Sequence, residues 1–500
     1  MFQSRAAKIV QKRGLSLLLC LGLLLSLLPA AFAADGQPTS SNNKNGQDYT
    51  TYGNTVKSYL YKNQSGGLTR VEFINDQVVI EDYDSSFQLR SSKALSPELP
   101  VWGGFYAGEQ FNFLIFGQQN TSENSNAEVI RVVKYDKNWN RQGAVSIKGA
   151  YTKSPFASGS LRCAEYGGYL YLHAARIMFR NVKTMYGVMD TGTNHQANLT
   201  LEIRQSDMAL VDSYDEIWNL DFGYVSHAFN QFILVDQDRN IVTLDHSDSD
   251  SNAGGRRNYG YAPEVKARGA VLIRYDEKAG QDHFQGSDPY QWCEYSLVQG
   301  FGGSSGNNTT GASLGGFEET SSGYISAYNY DGVGRSGERN VYLGYTSKSN
   351  LRSTASKISV SAGTTTPVLA STGLNGGYVL WNGKSGYTAD DTLYYASYDA
   401  SGKTGPVQTA TGSLSDCKPI FYNGKLVWYV TDNCAPVFYT LDASGVNRFG
   451  EVEKPGTGTA TPDTGTTDPG TGTTKPGTGT TDPGTSTTNP GSKTPTFSDV

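Results

Sequence analysis

About seven times between residues 56 and 449 the chain repeats one unit: a tight polar turn, a short apolar run, a second run ending in aspartate, and another turn. The first turn reads Ser65-Gly66-Gly67, Gly167-Gly168, Arg239-Asn240, Ser322-Gly323, Gly376-Gly377 and Asn423-Gly424. Runs such as Tyr169-Leu170-Tyr171-Leu172, Ile241-Val242-Thr243-Leu244 and Lys425-Leu426-Val427-Trp428 follow it. The aspartate turn reads Tyr83-Asp84, Tyr135-Asp136, Ser206-Asp207, Tyr275-Asp276, Tyr398-Asp399 and Leu441-Asp442, with Tyr345-Thr346 filling the one gap. A period of roughly 45 to 80 residues built only from strands predicts radially repeated sheets, because one such unit cannot bury both its faces alone. The expected fold is all-β: a closed β-propeller of four-stranded antiparallel blades, with seven blades favoured over six or eight.

Residues 1–33 stand outside that fold. Arg5, Lys8, Lys12 and Arg13 precede an apolar run from Leu15 to Leu28, then Pro29 and the small-residue site Ala31-Phe32-Ala33. This is the pattern of a secretory signal peptide cut before Ala34. The run is short for a membrane span of about 20 residues, and no later segment is long and apolar enough to cross a bilayer. Cleavage removes four positive charges and no negative ones, so the mature chain is more acidic than the formal net charge of -6. Nucleic acid and anionic lipid are poor partners for such a surface, since both call for clustered Lys and Arg.

Residues 34–50 are polar and read as a disordered lead-in to the propeller domain at 51–452. From 453 to 496 the composition turns to Pro, Gly, Thr and Asp, with prolines at 455, 462, 469, 476, 483 and 490, a seven-residue period. Without apolar residues this tract cannot form a core, and its prolines favour extended conformations. At about 3 Å per residue it reaches at most roughly 130 Å, enough for a tether across a cell wall.

The chain then reads Phe497-Ser498-Asp499-Val500. That tetrapeptide after a Thr/Pro-rich linker resembles the opening of an S-layer homology (SLH) module, a family that binds pyruvylated polymers of Gram-positive-type cell walls. The resemblance implies a truncated piece of a longer extracellular, wall-attached protein whose downstream module holds a cell-wall polymer.

Turn spacing assigns strands within each repeat, lettered A to D in chain order. The A–B and C–D turns then lie on one face and come out short. The B–C connections lie on the other and are long and unequal, at 117–128, 175–197, 245–269 and 382–391. Long polar insertions on a rigid scaffold are where binding residues sit. Four of the five histidines map to that elaborated side: His173, His195, His227 and His246. With Arg176, Asn198, Asn230, Gln231 and Asp245 they form the candidate ligand site. Histidine and carboxylate so grouped suit acid–base work or a ligand, or else merely satisfy loop carbonyls at strand ends. No close His-x-His or His-x-x-x-His spacing marks a metal site.

Asp248-Ser249-Asp250-Ser251-Asn252-Ala253-Gly254 is similar to a calcium loop. Its glycine is one place late against an EF-hand, and Tyr259 stands where the bidentate glutamate belongs, so a solvated acidic loop is preferred and no cofactor is expected. Trp381 and Trp428 end B strands, where they either stack on sugar rings or pack between blades. Cys417 and Cys434 flank one predicted hairpin and are the natural disulfide pair, although four unpaired thiols suit the spacing equally. No Gly-x-Ser-x-Gly elbow, His-Glu-x-x-His helix or phosphate loop occurs.

Together these features favour a non-enzymatic surface module for a glycan, wall polymer or protein. An extracellular carbohydrate-active hydrolase or lyase acting through His173, His227, His246 and Asp245 is the alternative, and a purely structural surface-layer unit the third.

Overall fold

The computed structural model describes residues 54–449 apart from 185–186, 218–219, 250–255, 258–259, 262–267, 283–292, 305–309, 335–337, 361, 386–387 and 433–434. Seven antiparallel sheets, each a run of four strands, follow one another along the chain, and Thr152–Pro155 adds a short fifth strand to the third. Blade one comprises Ser58–Lys62, Leu68–Ile74, Gln77–Tyr83 and Leu89–Leu95, and blade two begins at Val101–Ala107. Blades three and four begin at Leu161–Tyr166 and Ala228–Val235, blades five and six at Ala312–Glu319 and Val368–Ser371. Blade seven comprises Ile420–Tyr422, Lys425–Asp432, Ala435–Asp442 and Gly445–Phe449. The expected seven-bladed propeller is therefore the observed one.

Local chemistry makes each hairpin. Gly167 and Gly168 take φ of 59° and 86°, and Asn423 and Gly424 take 49° and 79°. Two successive left-handed residues match the twist of the flanking strands, which is why Gly-Gly and Asn-Gly stand there. The strand alternation then sends odd and even residues to different blades. In blade three Leu170, Leu172 and Ala174 pack toward blade two, whereas Tyr171 packs toward blade four. Each of the seven interfaces between neighbouring blades has its own apolar cluster in this way. Fully burying one Leu or Phe stabilises by about 1.5–3 kcal/mol, so the core is a ring of wedges.

The A strands line the axis and the D strands face solvent, as in Ser353–Lys357. At the axis the inner strands of blades five and six approach so closely that a Cβ on Gly315 would overlap Pro367 O. Ring closure needs no shared strand among the described residues, because blades one and seven each hold four of their own. The segment at 49–52, expected beside blade seven, lies outside the described residues.

Two expectations about the faces change. In blade six the strands Gly376–Ser385 and Thr388–Asp399 continue almost to each other, so the connection expected at 382–391 is mostly paired hairpin. In blade four the third strand runs past Asp276 to Lys278, and the C–D connection to Cys293 is long. The turn face is thus not uniformly plain. The B–C insertions of blades three and four do carry extra structure, as hairpins Asn181–Thr184 with Gly187–Asp190 and Arg256–Arg257 with Gly260–Tyr261.

Candidate functional site

Strand Tyr169–Met178 pairs with Gln196–Arg204 so that His173 lies opposite Thr200. Both point toward blade four, where strand Ala228–Val235 bulges between Phe229 and Phe232. The bulge, with Asn230 at φ 43°, turns Asn230 and Gln231 inward beside Asp245. His173 Nε2 lies 2.9 Å from Asp245 Oδ2, and Nδ1 lies 2.8 Å from Thr200 Oγ1. Gln231 Nε2 donates to Asp245 Oδ1 at 3.4 Å, and its Oε1 accepts from Ser160 N at 3.0 Å. The Ser160 hydroxyl donates to Asn230 Oδ1 at 3.0 Å, and Asn230 Nδ2 donates to Leu314 O. Tyr275 OH lies 3.0 Å from Thr200 Oγ1. One consistent arrangement runs from the tyrosine hydroxyl to the threonine, to Nδ1, with Nε2–H donating to the carboxylate. His173 and Asp245 have no accessible surface at all.

The other expected site residues scatter around this network. Arg176 is fully buried, donates to Ala150 O and to Asp215 O at 2.8 Å, and burial pulls its guanidinium down to about 10. Asn198 braces the entry to blade four, donating to Gly223 O at 2.8 Å and accepting from Val225 N at 2.9 Å. His246 belongs to the next interface. Its Nε2 lies 2.7 Å from Thr310 Oγ1, and its ring sits edge-on to Phe229 and Phe301. His195 and His227 alone among these imidazoles keep accessible surface, side by side where His227 N donates to Gln196 O at 2.7 Å. Burial pulls both below the ordinary value, and the neighbouring His195 adds to this at His227.

Trp381 and Trp428 are packing residues, buried and stacked on Tyr394 and Tyr439. Cys417 is a buried free thiol with Sγ 3.8 Å from Lys418 O, the unpaired one of the two states its spacing allowed; Cys434 lies outside the described residues. Of the calcium-like loop, Asp248 is buried in an ion pair with Arg268, and residues 250–254 lie outside the described residues.

Sequence reasoning missed the concave surfaces. The axial channel encloses about 350 Å³ and is lined by the A strand or its approach in every blade. A second concavity of about 670 Å³ opens between blades one and two on the turn face, beside Asn63, Asp82, Arg90, Lys137 and Asn138. Neither carries a local sequence signature, since each is assembled from residues a blade or more apart.

No protein family and no curated protein matches this chain in sequence. Among solved structures it is similar to oligogalacturonate lyase from Vibrio parahaemolyticus, at 11% identity and a TM-score of 0.40 over 83% of this chain and 96% of that one. An ulvan lyase aligns at 9% identity and TM-score 0.42, over 83% and 94% of the two chains. The α-L-arabinanase of Penicillium chrysogenum aligns at 11% identity and TM-score 0.34, over 83% and 98%. These likenesses concern the fold alone. The class is that of the seven-bladed β-propeller.

Proposed function

We propose that the chain is a non-catalytic, extracellular surface propeller that binds a glycan, wall polymer or surface protein through the B–C loops of blades three and four. The observation that carries this reading is the state of His173. Both its nitrogens are engaged by protein groups and its ring is sealed from solvent, so it has no atom left to exchange a proton with a substrate. Asp245 and Gln231 are engaged in the same way. The loop face keeps for recognition the half-buried His195 and His227 and the exposed Arg180–Asp190 pair on the inserted hairpin. Attachment to the wall rests on the signal-peptide pattern, the proline-rich tether and the SLH-like residues at 497–500.

Incubating the mature protein with an array of glycans and a panel of wall polysaccharides tests this. Retention without turnover is expected, weakened by H195A/H227A. Release of reducing ends or of unsaturated sugar, lost in that double variant, would place catalysis on the two accessible imidazoles and overturn the binding reading. Neither retention nor turnover would leave a structural spacer.

A further inference from the structure

We propose that the axial channel is a second binding site, for a small organic carboxylate, with Arg162 as the group that holds the anion. The volume of about 350 Å³ falls at the small-molecule end of ligand pockets. Its wall is largely aromatic and aliphatic, with Tyr59, Phe105, Phe232, Leu314, Phe317 and Leu369 among the lining residues. An apolar wall with a few placed polar groups is how such sites bind and orient a ligand.

Arg162 is that polar group. Its guanidinium lies over the Phe232 ring, 4.6 Å from the centroid, and NH1 makes only a long bond to Leu161 O at 3.4 Å. No carboxylate among the described residues pairs with it, so most of its five donors are unspent. The other charged groups of the lining hold partners of their own, and Asp416 keeps its negative charge against a backbone amide. Lys418 pairs with Glu318 at 2.5 Å, and Asp416 Oδ2 accepts from Lys57 N at 2.8 Å. The Tyr59 hydroxyl donates to Val56 O at 3.1 Å. A cation in a largely apolar wall with no carboxylate at ion-pair distance is costly, and a ligand carboxylate supplies one through two parallel hydrogen bonds that match the guanidinium fork. The guanidinium over the Phe232 ring and the aromatic wall suit a ligand with an apolar body and one acidic end. This site lies on the axis, away from the loops of blades three and four, and stands whether or not those loops hold a polymer.

Calorimetric titration of the mature protein with phenylacetate and hexanoate, each against its uncharged amide, tests the assignment. Saturable binding of the acids is expected, with the amides weaker by roughly tenfold or more. R162Q should erase that preference and R162K should keep part of it. Equal affinity of acid and amide for the unaltered protein would overturn the proposal without any variant. So would an unchanged preference in R162Q, or no saturable binding of either acid up to about 10 mM.

Discussion

His173 and Asp245 meet 2.9 Å apart in a region sealed from water, so changing either leaves a buried polar partner unmatched. His173→Ala is therefore expected to lower stability by about 1–3 kcal/mol, read from urea unfolding. His246→Ala should behave alike, because its ring fills space between two phenylalanines. This reverses the surface-residue behaviour that strand-end placement suggests. His195 and His227 differ. The fold holds both below the ordinary histidine value of 6.5, so the unfolded chain binds their protons more readily. Their contribution is present above about pH 6.5 and lost as pH falls through the lower folded values. The melting temperature should drop on acidification in that window, and H195Q/H227Q should flatten the drop; an unaltered slope in the double variant would count against it.

At the scale of an element, the recurring aspartate is a turn-builder. Asp84 Oδ1 accepts Ser86 N at 2.8 Å and Gln88 N at 3.0 Å, and Asp136 Oδ1 accepts Asn138 N at 2.9 Å and Asn140 N at 2.8 Å. Asp399 repeats the pattern with Ser401 and Lys403, and Asp442 with Ser444. In blade five, where the aspartate is absent, the Ser347 hydroxyl accepts from Ser349 N and Asn350 accepts from Arg352 N. Hydrogen bonds hold all four carboxylates below their usual value, Asp442 down to about 2 through Ser444 and Lys425. Depressed carboxylates stabilise above the unfolded value and cease to do so as pH falls through the folded one. Urea midpoints should therefore decline between about pH 4 and pH 2. Asparagine at all four positions keeps an acceptor but cannot titrate, and should flatten that decline.

For the whole molecule the decisive contact is the closure between blades seven and one. Arg70 donates to Glu72 at 2.6 Å and to Glu81 at 2.5 Å, Tyr429 OH donates to Glu72 at 3.0 Å, and Tyr422 OH donates to Gly66 O at 2.6 Å. Arg70, Glu72 and Glu81 are all buried, and burial raises the Glu72 carboxyl although Arg70 opposes it. Arg70→Ala strands two buried carboxylates and should cost about 3–5 kcal/mol in urea unfolding. Replacing Arg70, Glu72 and Glu81 together with Met and Leu should recover most of that loss, since the desolvation penalty goes with the charges. A triple variant as unstable as the single one would show that the ions themselves hold the ring shut.

What the chain determined by itself is what local chemistry governs. Gly167-Gly168 and Asn423-Gly424 specify hairpins, Asp84 and Asp136 close turns through backbone amides two and four residues on, and strand alternation divides each blade between two neighbours. Summed over the repeats, these rules yield a seven-bladed ring, and they bring His173, Asp245, Asn230 and Gln231 to adjoining blades. Only the tertiary structure decided whether those groups meet a ligand or one another. Accessibility depends on how closely two blades pack, and that depends on side chains far apart in sequence. The bulge at Asn230 and Gln231 shuts the network, just as the Tyr429–Glu72 bond joins the two ends of the domain. Arg162 reads as one more strand residue until seven inner strands surround it, and a channel exists only once the ring has closed.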